Sequence, residues 1–300
     1  MTTHLSTGFK ALDIFAGGLN GGELVLIGGR LGMGKTSFAL NLALNAANEF
    51  RDKKHSGVAF FSMKQSLSQL RERFLSSITR IPSMKIIKGE LSADEFQRIA
   101  KASENLEKMP LYIDDTPALS PADLRERCRR IKDDPEKGLG LVIIDYLQLI
   151  KDEKRSLILQ RLKEIAKEFD VPVIVLTNLT RAPENRKNKR PRLNDIRDYK
   201  DLSAVDKVLF LYRESYYLKH DMPEQRTNET EEAYLERFRE WNQRISSIEK
   251  NCELIIAKNP SGLCGTVNLF FEGMTGFFWN EFQYSVSHTS IRSPTAEHFV

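Results

Sequence analysis

Gly29, Gly34, Lys35 and Thr36 fall in the order G-x-x-x-x-G-K-T, a spacing that suits capture of a phosphate chain. Glycines let successive backbone N–H groups turn inward around an anion. A helix beginning near Lys35 would add the positive end of its dipole. The expected cradle is Gly29, Arg30, Leu31, Gly32, Met33, Gly34, Lys35, Thr36 and Ser37. Lys35 is placed to reach the β and γ phosphates, and Thr36 to offer a hydroxyl to Mg²⁺. A glycine-rich turn alone would bind nothing. Here an apolar run (LVLIGG, 24–29) precedes the loop and a helical pattern follows it, which is the context the chemistry needs. The second half of such a site is an acid at the end of a buried strand. Asp145 closes LVIID and is placed to hold Mg²⁺ through water. Paired with the loop upstream, it completes a nucleotide site, with ATP and Mg²⁺ as the expected ligands and Lys35 and Asp145 as its acting residues.

Strand-like apolar runs recur at 24–29, 58–62, 111–115, 141–146, 171–177 and 207–212. Amphipathic stretches separate them: Leu162, Ile165, Ala166 and Phe169 share one helical face, as do Leu124, Cys128 and Ile131. Continuous apolar strands alternating with helices predict an α/β fold, a mostly parallel sheet covered on both faces. Residues 215–250 break the pattern. They are highly charged and read as a surface insertion carrying one helix, about Glu231 to Ile248. Strands at 252–258, 266–272 and 276–280 follow, and 281–300 read as a loose polar tail.

The chain has 300 residues, enough for one large α/β domain with insertions or two smaller ones. Lys plus Arg number 45 and Asp plus Glu 41, so the net charge of +4 is too mild to argue for nucleic acid by itself. Three scattered cysteines exclude a disulfide scaffold and suit a reducing cytosol, so a cytoplasmic location is expected. The longest apolar stretch (139–150) is shorter than the ~20 residues of a membrane span, and it contains Asp145. One local charge feature stands out. Residues 181–200 hold eight Lys or Arg among loop-forming residues. That suits contacts to a nucleic-acid backbone. Composition alone does not separate it from a solvated charged loop.

Four stretches together resemble the motor domain of the DnaB-type replicative helicases. They are STGFKALDIFAGGLNGGELVLIGGRLGMGKTSFA, LYIDDTPALSPADLRERCRRI with LGLVIIDYLQLI, LKEIAKEFDVPVIVLTNLTRAPENRKNKRPRLNDIRD, and IIAKNPSGLCGTVNLFFE. The likeness runs from about Leu5 to Asn280. It implies a RecA-like sheet with a C-terminal β-hairpin extension, a domain spanning 1–280, and a hexameric ring with ATP between subunits and single-stranded DNA through the centre. It also implies that Arg197, Asp198 and Lys200 face the DNA, and that Lys258 reaches a neighbouring subunit's γ-phosphate. Replisome or loader proteins are further implied partners.

The sequence departs from that family at three informative residues. Where the family carries the glutamate that polarises the attacking water, this chain has Lys64. A lysine is an ammonium at neutral pH and accepts no proton. The arginine of the family's closing hairpin is Pro260, and the glutamine of its motif-3 strand is Asn178, one methylene shorter. The segment between Ile150 and Leu162 is also short, and the chain begins at the motor, without the family's N-terminal helical domain and linker helix. Ring formation is thus expected to lose one support. Three readings follow: an ATP-driven helicase motor with hydrolysis impaired by Lys64 and Pro260; a degenerate ATP- and DNA-binding regulator or loader, acting inside mixed rings with an intact helicase; and a RecA-like ATPase of recombination. DYLQL and KRPRLNDIRD argue against the third. Asp114 or Asp115 is an alternative source for the missing carboxylate.

Overall fold

The computed structural model describes residues 4–280 apart from 54, 153, 200 and 261. In chain order the elements are β1 (His4–Leu5), α1 (Lys10–Ala16), β2 (Leu19–Asn20), β3 (Leu24–Gly29), α2 (Lys35–Phe50), β4 (Val58–Ser62), α3 (Leu67–Thr79), α4 (Ser83–Lys88), α5 (Ala93–Glu107), β5 (Leu111–Asp114), α6 (Pro121–Asp133), β6 (Leu141–Asp145), α7 (Ile158–Phe169), β7 (Val173–Asn178), β8 (Lys207–Tyr212), α8 (Glu214–His220), α9 (Glu231–Ile248), β9 (Asn251–Lys258), β10 (Gly265–Glu272) and β11 (Phe277–Trp279).

Nine strands form one sheet in the order β11-β10-β9-β8-β3-β7-β6-β4-β5. From β8 to β5 every pairing is parallel, while β9, β10 and β11 add on antiparallel. The expected C-terminal hairpin is therefore continuous with the main sheet. The β3 side chains alternate between two cores. Val25 and Ile27 face α2 with Phe38 and Leu42, while Leu24 and Leu26 face α6 and α7 with Leu124, Cys128, Leu162 and Phe169. Both faces being covered is what makes these strands read as unbroken apolar runs.

Ser66, Ser92 and Ser120 cap α3, α5 and α6, each in a reciprocal capping box. The charged insertion holds α8 as well as the expected helix, α9, whose Trp241 donates to the Leu218 carbonyl of α8 (3.0 Å). Residues 281–300 lie outside the described residues. Among the described residues no helix is long and apolar enough to cross a membrane.

Candidate nucleotide site

The strand β3 delivers the chain to the C-terminal edge of the sheet, where residues 30–34 turn into α2. Gly32 (φ 78°) and Gly34 (φ 93°) adopt the left-handed conformation that glycine tolerates best. A Cβ on Gly32 would also lie 2.3 Å from the Tyr216 ring of α8. No side chain caps α2, whose N-cap is Gly34. Its first amides and the positive end of a 16-residue helix would thus suit an anion. Met33 is buried and Leu31 exposed.

Lys35 Nζ donates to the carbonyls of Gly29 (2.7 Å) and Arg30 (3.2 Å). Burial lowers this ammonium to about 8. The charges of Arg30 and Lys64 push the same way, and that of Asp145 opposes them. Thr36 Oγ1 donates to Asp145 Oδ2 at 2.7 Å. Burial also raises the Asp145 carboxyl, against the Thr36 hydrogen bond and the charges of Lys35, Arg73 and Lys64. One hydroxyl and one carboxylate side by side form a donor set that suits Mg²⁺, which keeps several waters and binds through one or two protein oxygens plus phosphate. Among the described residues no group of three His, Cys, Asp or Glu is placed to hold a metal. The phosphate chain would thus supply the remaining ligands.

Sequence reasoning did not single out Arg73. It lies on α3, half-buried beside the site, and donates to Ser37 Oγ (2.8 Å) and to Gln65 Oε1 (2.7 Å). A signal was present. Leu70, Arg73, Phe74 and Ser77 sit at i, i+3, i+4 and i+7, so an arginine occupies the inward stripe of an amphipathic helix. Arg73 ties the phosphate helix to the turn bearing Lys64, whose charge acts on Lys35 and Asp145 alike. The alternative carboxylates are engaged elsewhere. Asp114 is paired with Arg127 and accepts from the Thr116 amide, and Asp115 accepts the Leu67 amide at the start of α3 (2.8 Å).

Lys258 does not join this cluster within the chain. It pairs in register with Val208 near the start of β8, at the opposite edge of the sheet. The intervening strand length is roughly 15 Å. Its ammonium donates to the carbonyls of Leu202 (2.8 Å) and Val205 (2.6 Å). Pro260 is exposed in the adjoining turn. Asn178 ends β7 beside Gly29 of β3. Its amide donates to Gln148 Oε1 (3.2 Å), and its carbonyl accepts the Arg197 amide (3.3 Å).

The basic loop is half fastened. Arg186 grips Asp195 with both nitrogens (3.1 and 2.6 Å), and Arg190 grips Glu253 (2.6 and 2.5 Å). Lys189 donates to the Glu184 carbonyl (2.8 Å). Arg181, Lys187, Arg192 and Arg197 stay exposed, with Asp198 beside Arg197. Lys200 lies outside the described residues.

The family model of the DnaB-like helicase C terminal domain matches residues 4–280. The chain is 39% identical over 298 residues to the replicative DNA helicase DnaB of Rickettsia bellii, covering 94% of this chain and 59% of that protein. It is 36% identical over 280 residues to the DnaB of Geobacillus stearothermophilus, covering 90% and 55%. The chain thus spans little more than half the length of these curated relatives. Among solved structures, one described as an ATPase domain superposes with a TM-score of 0.76 at 30% identity, covering 93% of this chain and 91% of that one. A DnaB-like replicative helicase studied for its interactions with primase gives a TM-score of 0.76 at 29% identity, covering 93% and 63%. A match over nearly every described residue, carried by sequence and by fold, makes this chain a member of the DnaB-like helicase C-terminal domain family.

Proposed function

We propose that this chain is the ATP- and Mg²⁺-binding motor of a replicative DNA helicase, with the grip on nucleotide intact and hydrolysis slowed. The observation that carries it is the convergence of Lys35, bonded to the Gly29 carbonyl that ends β3, with the Thr36 hydroxyl that donates to Asp145 at the end of β6. The α2 amides and Lys35 would bind the phosphates, and Thr36 and Asp145 would hold the ion, which would supply charge screening to the phosphate chain. Attack by water needs a carboxylate nearby, and the turn after β4 offers Lys64 instead. Losing a positioned base costs about 10²–10⁴ in rate. The position of Lys258 at the far edge of the sheet supports a role toward a neighbouring copy's phosphates in a ring. Pro260 leaves that edge without the partner arginine of the family hairpin. Single-stranded DNA would meet the exposed cations Arg181, Lys187, Arg192 and Arg197, with Asp198 in the same loop and Lys200 close by in sequence.

Lys64 and Pro260 together also favour a second reading, a nucleotide-holding regulator that works within mixed rings. Steady-state ATP turnover with and without single-stranded DNA decides between them. The unmodified chain is expected to turn over slowly in both conditions, and Lys64→Glu to raise the rate at least ~10²-fold. Pro260→Arg alone should do less, since proline also shapes that turn. Brisk DNA-stimulated turnover by the unmodified chain, unchanged by Lys64→Glu, would overturn the assignment of impaired hydrolysis.

A further inference from the structure

The turn after β4 carries Lys64 next to the strand end that bears Asp145. Ser62, the last residue of β4, lies in register with Asp145. The Met63 amide donates to the Asp145 carbonyl (2.9 Å). Ser62 Oγ donates to the Gln65 carbonyl (2.8 Å) and accepts the Gln65 amide (3.2 Å), so residues 62–65 close on themselves. Through Gln65 and Ser37, Arg73 clamps this turn to the first turn of α2. Lys64 rides on the clamped turn with its side chain exposed. Three cations, Lys35, Lys64 and Arg73, therefore act together on the Asp145 carboxylate.

A polyphosphate entering a site of that charge meets net attraction before any metal arrives. A divalent ion ordinarily offsets the repulsion between phosphate and nearby carboxylates. Here Lys64, carried on the clamped turn, adds a positive charge of its own. We propose that Lys64 is a built-in counter-cation through which this site holds a nucleoside triphosphate without a divalent metal. The inference rests on the phosphate-site reading above and adds to it a loss of metal dependence.

The test is a direct titration of the full chain with a fluorescent ATP analogue, once with Mg²⁺ and once with excess EDTA. Unmodified chain, Lys64→Glu, Lys64→Gln and Lys35→Ala are compared, with thermal unfolding as the check on folding. For the unmodified chain the dissociation constant should rise no more than about tenfold in EDTA, and for Lys64→Glu at least ~100-fold, because the exchange reverses one full charge beside the phosphates. Lys64→Gln should fall between them. An equal rise in the unmodified chain and Lys64→Glu overturns the proposal. The Mg²⁺ arm separates the two possible failures. No binding there, or binding unaffected by Lys35→Ala, removes the phosphate site itself and the counter-cation with it.

Discussion

Two lysines are drawn in from solvent at opposite ends of the same pair of strands, and they are satisfied differently. Lys207 opens β8 with 1% of its surface exposed and meets the Glu23 carboxylate at 2.6 Å and the Gly18 carbonyl at 2.9 Å. Lys35 follows β3, and its hydrogen bonds run to two neutral carbonyls, those of Gly29 and Arg30. One charge is paired directly with a carboxylate, while the other makes its hydrogen bonds to carbonyls and feels Asp145 only through space. A sequestered cation answered by a carboxylate serves structure. A sequestered cation answered by carbonyls, at a helix N-terminus, serves a ligand.

The largest effect separating the two should come from Lys35→Met. Affinity for a fluorescent ATP analogue in Mg²⁺ should fall at least ~100-fold, as charged hydrogen bonds to phosphate disappear. The urea midpoint should hold or rise, because burial already works against this ammonium. A marked loss of stability would erase the distinction. Lys207→Met should do the reverse. Removing one partner of a buried pair costs about 3–5 kcal/mol, and nucleotide affinity should stay near that of the unmodified chain. Urea unfolding and the same titration read both quantities.

The contrast sharpens within the basic loop, where effects should be smaller. Arg186 is answered by Asp195, which is 2% exposed, whereas Arg197 is 62% exposed at its side chain. Arg186→Ala should lower stability by about 1–3 kcal/mol by stranding that carboxylate. Arg197→Ala should leave stability alone and reduce the slope of log affinity for single-stranded DNA against log salt by about 1. An unchanged slope would make Arg197 part of a charged surface and nothing more.

These pairings mark how far the sequence could be read. The phosphate loop was legible because its meaning lies in local spacing, and the parallel strands because burial on both faces leaves unbroken apolar runs. The helix at 231–248 was legible from its pattern. By contrast, the basic loop looked uniform, since Arg190 and its partner Glu253 stand 63 residues apart and only the fold joins them. Arg73 escaped for a similar reason. Its contacts, Ser37 and Gln65, belong to two other segments, and an arginine amid helix residues reads as surface. The position of Lys258 at the far edge depends on strand order, which β9 acquires by pairing with β8 and which no local pattern encodes.

The outermost strands carry a last consequence. Strand β5 has four residues and β11 three, against eight in β10 beside it. Each bears an aromatic ring under a lysine: Tyr112 beneath Lys137 at 5.7 Å and Trp279 beneath Lys250 at 5.8 Å. Short, cation-shielded margins make poor templates for strand addition and guard against edge-to-edge aggregation. Strand addition at either margin of the nine-stranded sheet is thereby disfavoured.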